Sequence, residues 1–267
     1  MNRFEGKVIV ITGSSSGIGK AIAEKLAAQG AKIVLNGRDE ARLQEVSREF
    51  QAQGYEVLAV PGNVAVLEDC KRIIDTTLAH FGRMDLLINN AGVNMRGCLE
   101  DIRPEVLRLV MDVNYLGALY MTRFALPHLK TSRGGVFFIS SVAGIHGLPL
   151  HGLYSAAKMA LRALAESLRA ELSGTGVYVG IAHVGLTENE PGKTIYNEQG
   201  EKVPKENQSK LKLQPISAVA EEIIGMIRQR TFQRTFTLLG KLNALINRIS
   251  PALVQFVLTR AFQKRGW

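Results

Sequence analysis

The chain's architecture is set by one segment, Lys7-Val-Ile-Val-Ile-Thr-Gly-Ser-Ser-Ser-Gly-Ile-Gly19, in which a β-branched run leads into a glycine-rich turn and then a helical pattern. Glycines at such a junction let the backbone turn sharply and approach a pyrophosphate, while the helix N-terminus offers unpaired N–H groups to the anion. The spacing is Gly-x3-Gly-x-Gly, not the more widespread Gly-x-Gly-x-x-Gly. The segment therefore predicts a unit that binds dinucleotide phosphates through Gly13, Ser15, Gly17, Ile18 and Gly19.

Short β-branched runs alternate with helical patterns along the rest of the chain, which is typical of a parallel sheet built from βαβ units. Predicted strands cover 7–12, 32–35, 56–60, 85–89, 135–140 and 177–182, with a weaker one near 235–239. Predicted helices cover about 18–29, 40–53, 66–81, 104–130, 153–173 and 217–230. We therefore expect an α/β fold: a Rossmann-type doubly wound parallel sheet of about seven strands, with helices on both faces in three α/β/α layers.

One catalytic domain is expected over residues 1–240, followed by an extension over 241–267. The 267 residues are 46% hydrophobic, which is enough to build a single large core. Residues 187–214 show neither helical nor strand periodicity. A segment of that length is typical of a substrate-side loop, and a disordered insertion is the alternative.

Cysteine usage and apolar patterning predict a cytoplasmic protein. Cys70 and Cys98 are the two cysteines of the chain, too few to stabilise it by disulfides. No apolar run approaches the roughly 18 residues of a membrane span. The first predicted strand starts within seven residues, which leaves no room for a secretory signal.

The net charge of +9 lies at one end of the chain. The last 45 residues hold eight of the 33 basic residues and none of the 24 acidic ones. Removing those eight leaves 25 basic against 24 acidic residues, so residues 1–222 are nearly neutral. A nucleic-acid-binding surface across the whole chain is therefore not expected.

The end of the second predicted strand favours NADP over NAD. The sequence there is Leu35-Asn-Gly-Arg38, without the carboxylate that would bind the ribose hydroxyls of NAD. Arg38 offers a guanidinium that can contact a phosphate in a bidentate manner. The alternative is a surface arginine that pairs with Asp39 or Glu40.

Further motifs follow in order. Asn89-Asn90-Ala91-Gly92 comes after the fourth predicted strand, Asn114 lies in the long helix 104–130, Ser141 ends the fifth strand, and Tyr154 and Lys158 begin the next helix. With the glycine turn, this set resembles the short-chain dehydrogenase/reductase family over roughly residues 5–240. The resemblance implies an oxidoreductase that uses a nicotinamide cofactor, commonly as a dimer or tetramer.

The resemblance also implies individual roles. Asn90, Ala91 and Gly92 would contact the cofactor, as would Tyr154 and Lys158, with Lys158 holding the nicotinamide ribose. Asn114 would distort its helix and position a water in a proton relay with Lys158. The alternative for Asn114 is a helix-interior amide that bonds to neighbouring backbone.

Two positions depart from the family pattern. The aspartate that commonly reads the adenine is Asn63 here, followed by Val64, which keeps an acceptor and adds a donor. The usual Pro-Gly after the sixth strand is Val184-Gly185, which lacks the proline that fixes the backbone there. The resemblance implies a contact from Gly185 and Leu186 to the nicotinamide amide.

The spacing of the polar residues also indicates a reaction. Tyr154 and Lys158 are four residues apart and share a helix face, so the ammonium is expected to lower the phenol pKa. Tyr154 would then exchange a proton with a substrate oxygen, which Ser141 would also contact. Ser140 is the neighbour that Ser141 must be distinguished from.

The segment between Ser141 and Tyr154 predicts an apolar substrate. Ile145, Leu148 and Leu150 are placed to line a pocket, whereas His146 and His151 are interpreted as a rim contact and a turn residue. No cluster of His, Cys, Asp and Glu has metal-ligand spacing, and no metal is expected.

The C-terminal extension carries apolar residues at helical spacing, namely Leu242, Leu245, Ile246, Ile249, Leu253, Phe256 and Val257. Ser250-Pro251 predicts a helix start, hence two short helices. With Arg248, Arg260, Lys264, Arg265 and Trp267 nearby, residues 242–267 are a hypothetical anionic-membrane contact. Packing on the body or on a sister subunit is the alternative.

The function predicted is an NADP(H)-dependent oxidoreductase that interconverts a carbonyl and an alcohol on an apolar small molecule. The alternatives are a catalytically idle NADPH-binding protein on the same fold and, least favoured, a nucleic-acid-binding tail.

Overall fold

A seven-stranded parallel sheet forms the centre of the protein. The computed structural model describes residues 3–190, 192–205 and 213–263. The sheet strands are β1 (Val8–Ile11), β2 (Lys32–Gly37), β3 (Val57–Pro61), β4 (Leu86–Asn89), β5 (Gly135–Ser141), β6 (Tyr178–Val184) and β9 (Gln233–Thr235). Their order is β3-β2-β1-β4-β5-β6-β9, and every pairing is parallel. The expected doubly wound fold is therefore confirmed.

Helices cover both faces of this sheet, and strand residues alternate between two cores. The helices are α1 (Gly17–Ala27), α2 (Glu40–Ala52), α3 (Leu67–Phe81), α4 (Pro104–Met111), α5 (Gly117–Ser132), α6 (Gly152–Glu171) and α7 (Ile216–Gln229). Ile9 and Ile11 point into a core shared with α1, α2 and α7, whereas Val8 and Val10 point into a core shared with α3, α5 and α6. Because both faces are buried, the strands are almost continuously apolar.

The strand order reverses between β1 and β4, since β2 and β3 extend one way and β5, β6 and β9 the other. Ligands of open α/β sheets bind in the crevice at the carboxyl ends of the strands beside such a reversal. The glycine turn follows β1 and the Asn-Asn-Ala-Gly segment begins at the end of β4, so both lie at this crevice.

Three predictions of secondary structure were wrong in detail. The last strand is at Gln233–Thr235, and residues from Leu238 onward are helical, not extended. The long helix 104–130 is interrupted by a π-helical segment, Asp112–Leu116. Residues 187–214 contain a short antiparallel hairpin of β7 (Thr194–Tyr196) and β8 (Lys202–Pro204), which backbone pairing stabilises although neither strand has apolar alternation.

The C-terminal extension forms the two helices that its sequence predicts, α8 (Leu238–Ile249) and α9 (Pro251–Gln263). The Ser250 hydroxyl accepts a hydrogen bond from the Leu253 N–H at 3.3 Å, and Pro251 begins α9. The alternative in which the apolar stripe packs on the body is not seen among the described residues, because most of the stripe's side chains are exposed. Lys264, Arg265 and Trp267 lie outside the described residues.

Candidate active site

The turn after β1 has room for glycine alone at two positions. Gly13 has φ +63°, and a Cβ on it would lie 2.9 Å from the Cα of Ala91. A Cβ on Gly19 would lie 2.4 Å from both the carbonyl oxygen of Gly13 and Nδ2 of Asn90. The predicted phosphate-binding turn is therefore packed closely against the Asn-Asn-Ala-Gly segment.

Thr12 and Asn90 hold this turn in place. The Thr12 hydroxyl accepts hydrogen bonds from the N–H groups of Asn90 and Ala91, both at 3.0 Å. The Asn90 amide donates to the carbonyl oxygens of Thr12 and Gly13, both at 2.9 Å. The Asn90 side chain thus holds the turn over residues 12–19, which we call the phosphate cradle, in its conformation. Thr12 lies within the segment Lys7–Gly19 but was not predicted as a site residue.

The end of β2 presents a cation and no acid. Asn36 is buried, and its amide donates to the carbonyl oxygens of Val60 and Gly62 at 3.1 and 3.2 Å. Arg38 is exposed and takes part in none of the ion pairs among the described residues. Asp39 instead caps α2 by accepting from the Arg42 N–H at 3.0 Å. The alternative pairing of Arg38 with Asp39 or Glu40 is therefore absent.

Asn63 and Val64 lie beyond the end of β3, where adenine contacts are expected. Oδ1 of Asn63 accepts a hydrogen bond from the Ala65 N–H at 3.2 Å, and the Asn63 N–H donates to Asp69 at 2.8 Å. Val64 is buried and packs in the core near Gly117. Asn63 thereby has a fixed backbone and an amide group beside the crevice.

Ser141, Tyr154 and Lys158 meet at the end of β5. Ser141 is the last residue of β5 and hydrogen-bonds to Tyr154 in the first turn of α6. Nζ of Lys158 lies 5.7 Å from the centre of the Tyr154 ring and donates to the carbonyl oxygen of Ile139 at 3.1 Å. The Ser140 hydroxyl instead donates to the carbonyl oxygen of Lys158 at 3.2 Å, which identifies Ser141 as the serine that faces the tyrosine.

The expected lowering of the Tyr154 pKa is not found in the protein alone. Burial raises the pKa of Tyr154, and the hydrogen bond from Ser141 opposes that rise. Burial also lowers the pKa of Lys158 to about 8. The spacing of the two residues indicates the attraction between ammonium and phenolate, but not the loss of hydration that both groups incur in the cleft.

Asn114 lies inside the π-helical segment, as the family resemblance implies. Its Nδ2 donates to the carbonyl oxygens of Val110 and Val93, both at 2.9 Å. Its Oδ1 is buried and accepts no hydrogen bond from the described residues. A Cβ on Gly92 would lie 2.8 Å from this oxygen and 3.5 Å from Nζ of Lys158, so the two groups flank one small space. The Nδ2 end of the amide thus bonds to neighbouring backbone, as the alternative interpretation expects, while the relay through Oδ1 stays a prediction.

The segment after β6 departs from β structure at Gly185. A Cβ on Gly185 would lie 2.8 Å from Thr237, and Leu186 is exposed. The Leu186 carbonyl accepts from the Gln214 N–H at 2.9 Å, so the two ends of the 187–214 loop are joined. The position of Gly185 and Leu186 at the carboxyl end of β6 suits the predicted nicotinamide contact, which stays a prediction.

Helix α8 packs against the segment between Ser141 and Tyr154. Nδ2 of Asn243 lies 2.6 Å from Nε2 of His146, and Asn247 bonds to the carbonyl oxygen of Ile145 at 3.4 Å. His151 bonds through Nδ1 to the carbonyl oxygen of Met95 at 2.8 Å, and burial lowers its pKa. Both histidines thus have structural partners, in line with their interpretation as a rim contact and a turn residue.

Glu190 is far from the phosphate cradle in sequence but contacts it in the fold. Its carboxylate accepts the N–H of Gly17, the first residue of α1, and pairs with the Arg42 guanidinium at 3.2 Å. No sequence pattern indicates this contact, because 148 residues separate Arg42 from Glu190 and the loop has no periodicity.

The residues present fit a dinucleotide. The turn after β1 admits no side chain at Gly13 or Gly19, and the backbone N–H of Gly17 already binds the carboxylate of Glu190. A buried amide oxygen of Asn114 lies beside the same small space as Lys158 and accepts no hydrogen bond from the described residues. These are the features that a pyrophosphate and a proton relay require at this sheet edge.

Comparison with known proteins gives a family model and named relatives. The model for short chain dehydrogenases matches residues 7–200. A relative from Arabidopsis thaliana, 11-beta-hydroxysteroid dehydrogenase-like 2, is 44% identical over 170 residues, which are 63% of this chain and 55% of the relative. 11-beta-hydroxysteroid dehydrogenase A from Sesamum indicum is 39% identical over 200 residues, 74% of this chain and 57% of the relative. The chain thus spans little more than half the length of these curated relatives.

Solved structures share the whole fold. A short-chain dehydrogenase/reductase from Burkholderia phymatum in complex with NAD is 26% identical with a TM-score of 0.83, covering 95% of this chain and 96% of that one. An alcohol dehydrogenase from Thermococcus sibiricus complexed with 5-hydroxy-NADP is also 26% identical, with a TM-score of 0.74 over 87% of this chain and 96% of that one. The first of these structures thus contains NAD and the second contains a derivative of NADP.

Proposed function

The chain belongs to the short-chain dehydrogenase family, and on that premise we propose that it is an NADP(H)-dependent oxidoreductase that interconverts a carbonyl and an alcohol on an apolar small molecule. The observation that carries the proposal is the meeting of Ser141, Tyr154 and Lys158 at the end of β5, beside the glycine cradle that follows β1. The bound nicotinamide would supply or accept the hydride, and the side chains would handle the proton.

Tyr154 is the proposed proton donor for reduction. Its raised pKa keeps the phenol protonated at neutral pH, so the proton is available to a carbonyl oxygen that accepts a hydride at its carbon. Ser141 hydrogen-bonds to Tyr154 and would stabilise the charge that develops on the same substrate oxygen. In its protonated form Lys158 would stabilise the phenolate left behind, because the ammonium lies 5.7 Å from the ring centre.

Asn114 and Lys158 would replenish the proton. The unpartnered Oδ1 of Asn114 and Nζ of Lys158 flank the space beside Gly92, where a water would accept from the ammonium and donate to the amide oxygen. The π-helical segment supports this role, because such segments often occur at functional sites.

The choice of NADP rests on the end of β2. Arg38 is exposed and without an ion-pair partner among the described residues, and no carboxylate lies on Asn36 or Gly37 to bind ribose hydroxyls or repel a phosphate. The carboxylate of Asp39 is occupied in capping α2. The end of β2 therefore favours NADP, which carries an additional phosphate on the ribose, over NAD, which does not.

An apolar substrate is supported by the residues around the cleft. Ile145 is buried, and Leu148 and Leu150 lie in the same segment between Ser141 and Tyr154. The relatives carry names of 11-beta-hydroxysteroid dehydrogenases. A hydroxyl or ketone on a rigid lipophilic skeleton, such as a sterol or steroid, is accordingly the substrate class we propose.

The C-terminal helices are proposed to dock on an anionic membrane surface. The exposed apolar side chains of α8 and α9 are Leu238, Leu239, Leu242, Leu245, Ile249, Leu253, Phe256 and Val257, each at least half exposed. Lys241, Arg248 and Arg260 are exposed on the same helices, and residues 223–267 contain no acid. Two such cationic faces would repel each other, whereas each cation near anionic lipid contributes about 1 kcal/mol to binding.

None of the helices in the described part of the chain combines the length and hydropathy that a membrane span requires. The exposed apolar face of α8 and α9 would therefore lie along the membrane surface. Because α8 also contacts His146 and Ile145, a lipid surface at this face would bring a lipophilic substrate close to the cleft.

A panel of steroid, sterol, aliphatic and aromatic ketones with NADPH, followed by its absorbance, tests the proposed function. We expect turnover with a lipophilic ketone, and loss of that turnover in Tyr154→Phe while NADPH binding is retained. Retention of most activity in the variant would remove Tyr154 from the mechanism. Tight NADPH binding with no turnover of any compound would favour the catalytically idle binding protein.

A further inference from the structure

An acidic side chain of the protein occupies part of its own phosphate cradle. One carboxylate oxygen of Glu190 accepts the backbone N–H of Gly17, and the other pairs with the guanidinium of Arg42 at 3.2 Å. The two partners come from different elements, the start of α1 and the first turns of α2. Glu190 itself follows β6 and lies near the start of the substrate-side loop, 187–214.

The donors that Glu190 uses are those that a dinucleotide needs. The N–H groups in the first turn of a helix have no partner within the helix, and in this turn they are the predicted contacts of the pyrophosphate. An N–H group that already donates to a carboxylate is not available to a phosphate oxygen. Two anions held at one helix start also repel each other, so the carboxylate and the pyrophosphate exclude each other there.

We propose that Glu190 is an internal competitor of the dinucleotide, which binds only when its phosphates displace the carboxylate from Gly17. The inference rests on the proposed function, since it concerns the same cofactor site. Displacement also frees Arg42, which lies four residues after Arg38 and so becomes a second cation available to the phosphate on the ribose of NADP. NAD carries no such phosphate, and it therefore displaces Glu190 without gaining Arg42.

Glu190 also connects the cofactor site to the substrate side. Leu186 and Glu188, on the same short segment, pair with the backbone of Gln214 at 2.9 and 3.0 Å. Movement of Glu190 away from Gly17 is thus transmitted to both ends of the 187–214 loop.

Calorimetric titration of the full chain with NADPH and with NADH tests the proposal. In Glu190→Gln we expect the Kd of NADPH to fall about fivefold or more, because the competing charge is gone, with a decrease for NADH as well. Glu188→Gln is the matched control, since Glu188 lies on the same segment with an exposed side chain. An unchanged or higher Kd of NADPH in Glu190→Gln would overturn the inference.

Inorganic pyrophosphate separates this inference from the proposed function. In thermal unfolding, we expect pyrophosphate to raise the Tm of Glu190→Gln more than that of the natural chain or of Glu188→Gln. Equal shifts in all three proteins would refute the competition. Failure of every one of them to bind either dinucleotide, with a larger pyrophosphate shift in Glu190→Gln, would sink the cofactor assignment and leave the competition standing.

Discussion

Asn243 of helix α8 hydrogen-bonds to His146, with 2.6 Å between Nδ2 and Nε2, and so ties the C-terminal extension to the segment that joins Ser141 to Tyr154. The extension is therefore part of the wall of the cleft as well as a surface feature. Asn247 adds a weaker contact one turn later, at 3.4 Å from the carbonyl oxygen of Ile145.

Asn243→Ala is expected to raise KM for a lipophilic ketone severalfold and to change kcat little. The lost hydrogen bond is worth about 0.5–1.5 kcal/mol and positions the rim of the cleft, not the reacting groups. Steady-state kinetics at saturating NADPH measures both constants. Asn247→Ala is the control with a smaller expected effect, and a fall in kcat without a change in KM would contradict the assignment.

Arg38→Asp is expected to weaken NADPH binding by at least tenfold and NADH binding far less. A hydrogen bond to a charged group contributes about 1.5–3 kcal/mol, and the substitution also places an acid where a phosphate should lie. Arg48→Asp on the exposed side of α2 makes the same change of charge away from β2. Equal losses for both nucleotides, or equal losses in the two variants, would refute the phosphate contact.

Carbonyl reduction is expected to hold its rate at neutral pH and to slow above about pH 8. Burial raises the pKa of Tyr154, so the phenol keeps its proton across this range, whereas burial lowers the pKa of Lys158 to about 8 and the ammonium is lost above that pH. Without the cation, the phenolate formed by proton donation is less stable.

The control for this pH dependence is Lys158→Arg, which stays charged throughout the range. Its rate is expected to be lower, because the shape of the side chain differs, but to show no decline near pH 8. A decline at the same pH in both proteins would assign the titration to another group. Alcohol oxidation needs the phenolate and should rise with pH instead.

Gly19→Ala is expected to destabilise the fold by about 1–3 kcal/mol and to abolish dinucleotide binding. Its Cβ would lie 2.4 Å from the Gly13 carbonyl oxygen and from Asn90, so the turn must open. Gly225→Ala in α7 is the control, because nothing lies within 4 Å of its Cβ and alanine favours helix by about 1 kcal/mol. Chemical denaturation compares the two, and similar free energies of unfolding would contradict the close packing.

Leu242→Glu combined with Leu245→Glu is expected to abolish sedimentation of the protein with vesicles that contain phosphatidylserine. Both side chains are about half exposed on α8, so the fold should tolerate the change while the apolar contact is lost. Leu99→Glu changes an exposed leucine away from the extension and serves as the control. Unchanged sedimentation would end the membrane proposal, and a concentration-dependent dimer lost in the double variant would support a sister subunit instead.

The sheet and most helices were predictable because their signals are local. Apolar runs such as 32–35 and 135–140 lie between helical patterns, and a buried parallel strand needs little more. The π-helical segment at Asp112–Leu116 has no comparable local signal; the family resemblance alone implied a distortion at Asn114, which bonds across to Val93. The hairpin of β7 and β8 likewise depends on backbone pairing that side-chain periodicity does not record.

The site residues likewise divide into those that local spacing predicts and those that it does not. The spacing of Tyr154 and Lys158 places them on one helix face, and β5 delivers Ser141 to them. The predicted lowering of the Tyr154 pKa was wrong, because burial raises it and depends on three-dimensional surroundings that spacing does not reveal. The contacts of Glu190 were not predicted for a related reason, since only the folded loop brings it to its partners Gly17 and Arg42.

The π-helical turn bears on how this region tolerates change in length. A π turn holds one residue more than the regular helix that would replace it, so loss of a single codon between Pro104 and Ser132 could restore ordinary pitch. Within the π turn such a deletion would shift Asn114 relative to Lys158, and elsewhere in 104–132 it would turn the downstream helix by about 100° relative to the upstream one. Chimeras between relatives should therefore exchange 104–132 as one cassette, with no junction inside it.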